Sequence, residues 1–246
     1  MLIGASLKMY FSHARTLEWV CAVGAMLESH PAREMVTAFV IPQYPSIPAS
    51  IEQGGGLAVG AQDVAADDWG AFTGEVSAAV LAELGCRYVE VGHAERRRLF
   101  GDTDEVIAAK VHAALRHGLV PIVCVGEAES VTAAEAAQVC IQQIRSALSA
   151  ADAAGAEGGF IVAYEPLWAI GAPAPAEPAH IRAVCARLRA ELALGARQAD
   201  VIYGGSAGPG LLSLIADSVD GIFLGRFAHD PAAVRDILDE VDALTR

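Results

Sequence analysis

The chain has 246 residues, of which 54% are hydrophobic and 19% charged. That apolar content offsets the ordering entropy of folding and excludes a disordered chain, and the length excludes a mini-protein that needs covalent staples. Acidic residues number 30 against 17 basic, a net charge of −13; this opposes a nucleic-acid backbone or an anionic membrane as partner, but not a small anion held in a locally positive pocket.

In chain order, strands are predicted at 2–7, 36–41, 57–62, 87–92, 120–125, 160–164, 200–204 and 220–225. Most are apolar throughout, as strands covered on both faces are. Helical periods fill the gaps. After the fourth strand, Asp102 or Thr103 caps a helix whose apolar face is Ile107, Val111, Ala114 and Leu115, with Gly118 as its stop. Lys110, on that helix, reads as solvated. Pro178 opens a helix running to about Leu194. Asp230 and Pro231 open the last one, with Val234, Ile237, Leu238, Val241 and Leu244 as its stripe. A strand-helix unit of roughly 31 residues repeated eight times predicts a closed (β/α)8 barrel, a TIM barrel of α/β class, as one domain over 1–246. An open doubly wound sheet is the alternative.

The five cysteines, Cys21, Cys86, Cys124, Cys140 and Cys185, are scattered and form no C-x-x-C pair. They read as reduced thiols, which points to a cytoplasmic protein. Met1–Lys8 lacks the basic start of a secretion signal, and no apolar run is long enough to span a bilayer. The seven histidines show no metal-ligand spacing, so neither metal nor cofactor is implied.

Chemistry in such a barrel is expected where strands end. The first strand ends at Ser6-Leu7-Lys8, the fourth in Val91-Gly92-His93-Ala94-Glu95-Arg96-Arg97, and the sixth in Tyr164-Glu165-Pro166-Leu167-Trp168-Ala169-Ile170-Gly171. The seventh ends in Tyr203-Gly204-Gly205-Ser206 and the eighth in Leu224-Gly225-Arg226. Glu165 follows an apolar strand, so burial is expected to raise its pKa into the range of a useful base. His93 precedes a helical turn, which disfavours the imidazolium. Lys8 is one of only two lysines and is placed to hold an anion, with Glu95 as its expected ion-pair partner. Gly171, Ser206 and Gly225 can offer backbone N–H groups to a phosphate.

These motifs, in this order along the chain, resemble the triosephosphate isomerase family. The resemblance implies a glycolytic and gluconeogenic aldose-ketose isomerase that interconverts glyceraldehyde 3-phosphate and dihydroxyacetone phosphate through an enediolate. It implies Glu165 as base, His93 as electrophile, Lys8 and Glu95 as a supporting pair, and 168–176 as a lid. It also implies a homodimer in which the loop Gln62–Glu75 carries Thr73 to the neighbouring subunit's site. The chain departs from the family pattern at four places: Ser6 stands where the family has asparagine, Ala94 where it has serine, Ala172–Ala176 replaces the second half of the lid, and Arg226 replaces a glycine. Serine at the first position and Gly-Arg after the eighth strand are similar to the erythrulose phosphate isomerases, which makes a four-carbon ketose phosphate the alternative substrate. Arg226 reaches either the phosphate or a substrate hydroxyl, or else turns outward to an acidic residue. A lysine-imine aldolase and a non-catalytic phosphate-binding barrel are the remaining alternatives.

Overall fold

The structure, a computed structural model, describes residues 1–244. Eight parallel strands close into a barrel in sequence order: β1 (Leu2–Ser6), β2 (Thr37–Ile41), β3 (Ala58–Ala61), β4 (Tyr88–Val91), β5 (Val120–Val125), β6 (Phe160–Tyr164), β7 (Ala199–Tyr203) and β8 (Gly221–Leu224). Ser6 pairs with Ile41 on β2 and Ala5 with Leu224 on β8, which completes the ring. Each predicted strand is present within about a residue of its expected bounds, and closure excludes the open sheet.

Helices α1 (His13–Ser29), α2 (Ile47–Gln53), α3 (Ala78–Leu84), α4 (Ala94–Phe100), α5 (Asp104–Arg116), α6 (Ala133–Ala153), α7 (Pro178–Leu192), α8 (Leu212–Ile215) and α9 (Pro231–Leu244) connect them. Their starts follow local chemistry. Ser12, Ser77 and Thr103 each accept a backbone N–H of the first turn, and Thr132 with Glu135 forms a capping box on α6. Of the two caps expected for α5, Thr103 is the one used. The helix opened by Pro178 ends at Leu192, two residues short of the expected Leu194.

The period of two along each strand divides the core. Phe39, Ile41, Tyr88, Ile122, Ile161, Ile202 and Phe223 fill the barrel interior, whereas Val40, Val89, Val123, Val162 and Val201 face the helices. Gly4 is needed inside: a Cβ there would lie 2.8 Å from Phe223 and closer still to Phe39. The expectation for Lys110 is overturned. It is only 5% exposed, and its ammonium bonds to Asp63 and Asp102 at 2.9 Å each, so it is a buried structural cation. Arg96 joins the same group, 2.8 Å from Asp63 and 3.1 Å from Asp102. No described helix is long and apolar enough to cross a membrane.

Candidate active site

Strand periodicity builds the floor of the site. Gly4, Tyr88 and Ala163 point into the barrel. Two residues further on come Ser6, Glu90 and Glu165, all buried at the C-terminal mouth. There a cavity of about 790 Å³ opens, lined by Ser6, Lys8, Glu90, His93, Glu95 and Glu165 together with Gly171, Ser206, Gly225 and Arg226. Every site residue expected from the sequence thus meets in one cavity except Thr73, which is exposed on its loop. A cavity of about 890 Å³ lies elsewhere, beside α6 and α7. Four of its five charged side chains are paired with one another, Arg145 with Glu191 and Arg197 with Asp152, so size does not mark the chemistry here.

His93 caps α4, its Nδ1 accepting the Glu95 N–H at 3.1 Å. That bond assigns the proton of the neutral ring to Nε2. Nε2 faces Glu165 Oε2 at 3.5 Å and Glu90 Oε1 at 3.9 Å. Lys8 Nζ sits 3.3 Å from the same nitrogen. An ammonium has no acceptor, so with Nε2 protonated this is a charge contact rather than a hydrogen bond. Lys8 donates instead to Glu95 Oε1 at 2.9 Å, the expected pair. Its backbone is left-handed, with φ at 48°, a conformation that ordinary residues hold only where the surroundings impose it.

Burial dominates the protonation of these groups. Glu165 is pushed up to about 8 by loss of solvent and then by the neighbouring Glu90 carboxylate. Glu90 is pushed up to about 7 by the same loss of solvent, against the Lys8 charge and the Ser6 hydrogen bond. His93 is lowered to about 4, first by burial and then by the Lys8 charge, which keeps the ring neutral. For Lys8, burial works downward but is outweighed by the Glu95 hydrogen bond and charge, so its pKa lies above the usual lysine value. Cys124, on the inner face of β5, is buried and its thiol is held well above its ordinary pKa, which fits a packing residue.

The segment after β6 is fastened over the mouth by side chains. Trp168 Nε1 donates to Glu127 Oε1 at 2.9 Å. Ser206 shares its hydroxyl proton between the Ala169 and Ala172 carbonyls, at 2.7 and 3.1 Å. Tyr203 OH accepts the Ala176 N–H at 3.2 Å. Arg226 Nη2 donates to the Gly171 carbonyl at 3.2 Å, so the guanidinium turns to this segment rather than outward to a carboxylate. Glu165 sits in a slot of backbone. A Cβ on Gly204 would lie 2.5 Å from Glu165 Oε1, and one on Gly126 would overlap the Glu165 carbonyl.

Glu90, Glu127 and Tyr203 were not among the expected site residues. Glu90 carried a signal, being the one acidic letter in the run Tyr88-Val89-Glu90-Val91 and in phase with inward Tyr88. Glu127 and Tyr203 act on the segment over the mouth through contacts of long sequence separation, which no local pattern encodes.

The closed barrel and its mouth define a (β/α)8 protein equipped for acid-base chemistry at a buried carboxyl and a neutral imidazole. The triosephosphate isomerase family model matches residues 1–241, and the chain belongs to that family. It is 48% identical to the L-erythrulose-1-phosphate isomerase of Pectobacterium atrosepticum, over 100% of this chain and 97% of that protein. It is 43% identical to the triosephosphate isomerase of Alkalilimnicola ehrlichii over 82% of this chain and 85% of the relative. With the triosephosphate isomerase of Dechloromonas aromatica the identity is 40%, over 91% and 92%.

Proposed function

We propose that the chain is an isomerase of a phosphorylated four-carbon ketose, with Glu165 as the carbon base and His93 as the electrophile. The observation that carries this reading is the Glu165 carboxyl 3.5 Å from the protonated Nε2 of a neutral His93, with the Lys8 ammonium against the same nitrogen. The Glu165 carboxylate takes a proton from the carbon beside the carbonyl. The His93 N–H bonds the carbonyl oxygen as negative charge gathers there, and Lys8 stabilises that charge. A proton then passes from the neighbouring hydroxyl to the former carbonyl oxygen by way of His93 Nε2, and Glu165 returns the carbon proton to the former carbonyl carbon. On a 2-ketose 1-phosphate this moves the carbonyl from C2 to C3. The difference from a triose phosphate is one hydroxymethyl group on the carbon that loses its proton. The amides at Gly171, Ser206 and Gly225 hold the phosphate, with Arg226 beside them, and the segment 168–176 excludes water.

The relative matched over the whole chain is named for an erythrulose phosphate, which favours four carbons. Ser6 adds to this, because it leaves room where a longer carboxamide would stand. The second reading is a glyceraldehyde 3-phosphate isomerase, favoured by the family match. An imine mechanism is disfavoured by Lys8, which is bonded to Glu95 and held as ammonium, whereas an imine needs a free amine. The test is kcat/KM on erythrulose 1-phosphate against glyceraldehyde 3-phosphate. We expect the four-carbon substrate to be favoured by about tenfold or more, and Ser6→Asn with Arg226→Gly to move the ratio toward the triose by a similar factor. Rejection of the four-carbon compound by the wild type restores the triose reading.

We also propose a homodimer. The loop 62–75 is tied to the site, Gln62 Nε2 donating to the Lys8 carbonyl at 2.8 Å, and it leaves Trp69 73% exposed and Phe72 48% exposed. Burying such aromatics is what an interface core does. In the dimer the partner's Thr73 approaches Ser6 and Lys8. Sedimentation at assay concentration tests this; an active monomer refutes it.

A further inference from the structure

We infer that Glu90, held in place by Ser6, is the specificity-determining residue of the site: its weakly bonded Oε1 accepts the hydroxyl carried by the carbon beyond the one that is deprotonated. The inference rests on the four-carbon reading above.

Glu90 is 3% exposed and has little to justify its burial as structure. Its Oε2 accepts the Ser6 hydroxyl at 2.9 Å. Its Oε1 has only the Cys124 thiol, at 4.0 Å, and faces His93 Nε2 at 3.9 Å. The Lys8 ammonium, which acts on it at a distance, is bonded to Glu95 instead. A buried carboxyl oxygen with so weak a donor is costly unless a ligand completes it. The oxygen lies in the right place for that. Glu90 lines the cavity, and this oxygen faces the same imidazole nitrogen that faces Glu165. A hydroxyl one carbon from the atom that Glu165 deprotonates therefore falls within reach of Glu90. Dihydroxyacetone phosphate ends at the deprotonated carbon and glyceraldehyde 3-phosphate ends at the aldehyde, so neither three-carbon isomer has such a hydroxyl. Sites built to bond a hydroxyl reject analogues that lack it, because the buried partner is then left unpaired. Ser6 fits the same scheme as a positioning residue: it fixes one carboxyl oxygen and so aims the other, and it is short enough to leave the hydroxymethyl group space.

The test compares wild type, Glu90→Val, Glu90→Gln and Ser6→Ala on erythrulose 1-phosphate, its 4-deoxy analogue and glyceraldehyde 3-phosphate. We expect removal of the 4-hydroxyl to lower wild-type kcat/KM by at least about 100-fold. In Glu90→Val the 4-hydroxy and 4-deoxy compounds should become nearly equal, and the ratio of four-carbon to three-carbon kcat/KM should fall by a similar factor. Glu90→Gln keeps an acceptor and should recover most of the ratio. Ser6→Ala should lower it by a smaller factor and have little further effect in the Glu90→Val background. If Glu90→Val lowers all substrates equally, Glu90 is structural or part of the general machinery and the inference is overturned, while the four-carbon reading stands. If Glu90→Val still discriminates the 4-deoxy compound as wild type does, the hydroxyl binds elsewhere. If wild type does not turn over erythrulose 1-phosphate at all, the four-carbon reading falls and takes the inference with it.

Discussion

Consecutive residues of α4 serve two charge clusters of opposite character. Arg96 belongs to a balanced one, in which it and Lys110 face Asp63 and Asp102 at 2.8–3.1 Å. Glu95 belongs to the other, in which Glu90, Glu95 and Glu165 gather around one ammonium, Lys8, and a neutral imidazole. The first cluster has a cation for every carboxylate and closes on itself. The second has an excess of carboxyl groups, so burial leaves Glu90 and Glu165 able to take up protons near neutral pH. The balanced set is frame. The unbalanced set holds free energy against ionisation and is suited to moving a proton.

The largest effect should come from removing the base. Glu165→Gln keeps the shape and is expected to lower kcat by about a thousandfold, with a parallel loss of solvent-deuterium exchange into product. A near-wild-type rate would reassign the role. Glu165→Asp, which only withdraws the carboxylate, should cost on the order of a hundredfold.

Next in size is the balanced cluster. Lys110→Met leaves Asp63 and Asp102 buried with Arg96 alone, and should destabilise the fold by about 3–5 kcal/mol. That corresponds to a Tm lower by roughly 10 °C, with kcat per folded molecule kept. Thermal melts and active-site titration separate the two quantities, and loss of kcat with an unchanged Tm would contradict the division drawn above.

A smaller effect follows from pH. Glu90 and Glu165 have folded-state values of about 7 and about 8 against an ordinary 4.5. The folded state therefore holds protons that the unfolded state has released. Their contribution to stability is full below about pH 4.5 and is lost as pH rises through 7 to 8. The double change Glu90→Gln, Glu165→Gln should raise Tm at pH 8.5 by roughly 5 °C more than at pH 5. An equal shift at both pH values would mean that the carboxyls are not strained.

The smallest expected effect is at the segment over the mouth. Tyr203→Phe removes one hydrogen bond to Ala176, worth about 1 kcal/mol, and should change kcat a few-fold while leaving Tm within about 2–4 °C. A change of more than about tenfold would make that anchor part of the chemical step.

The contrast between the clusters also explains what was legible in the sequence. The strands were read because both-face burial leaves apolar runs, and the ends of those runs carried Lys8, His93 and Glu165 to one mouth. The Lys8–Glu95 pair followed from scarcity, since only two lysines exist. The solvated reading of Lys110 fails although its position carries the information. Ile107, Lys110, Val111 and Ala114 follow the spacing i, i+3, i+4, i+7 of a single buried face, and chemical type masked it. Glu90 is masked in the same way, as one polar letter inside a strand. The anchors of the segment over the mouth depend on tertiary contacts between residues some 30 to 40 positions apart, such as Ser206 with Ala169 and Ala172 and Trp168 with Glu127. They have no local counterpart.

The backbone slot around Glu165 sets which parts of this barrel are open to diversification. A Cβ at Gly204 falls on the Glu165 carboxylate and one at Gly126 on the Glu165 main chain, so a library randomised there samples mostly inactive variants whatever substrate is sought. Ser6, Glu90 and Arg226 line the same cavity without walling in the base. On the reading proposed above, variation at Ser6 and Arg226 changes what is accepted, whereas Glu90 also acts on the Glu165 charge. The barrel thus separates fixed from exchangeable positions by a few ångströms, which gives a lineage of such enzymes a short route from one sugar phosphate to another.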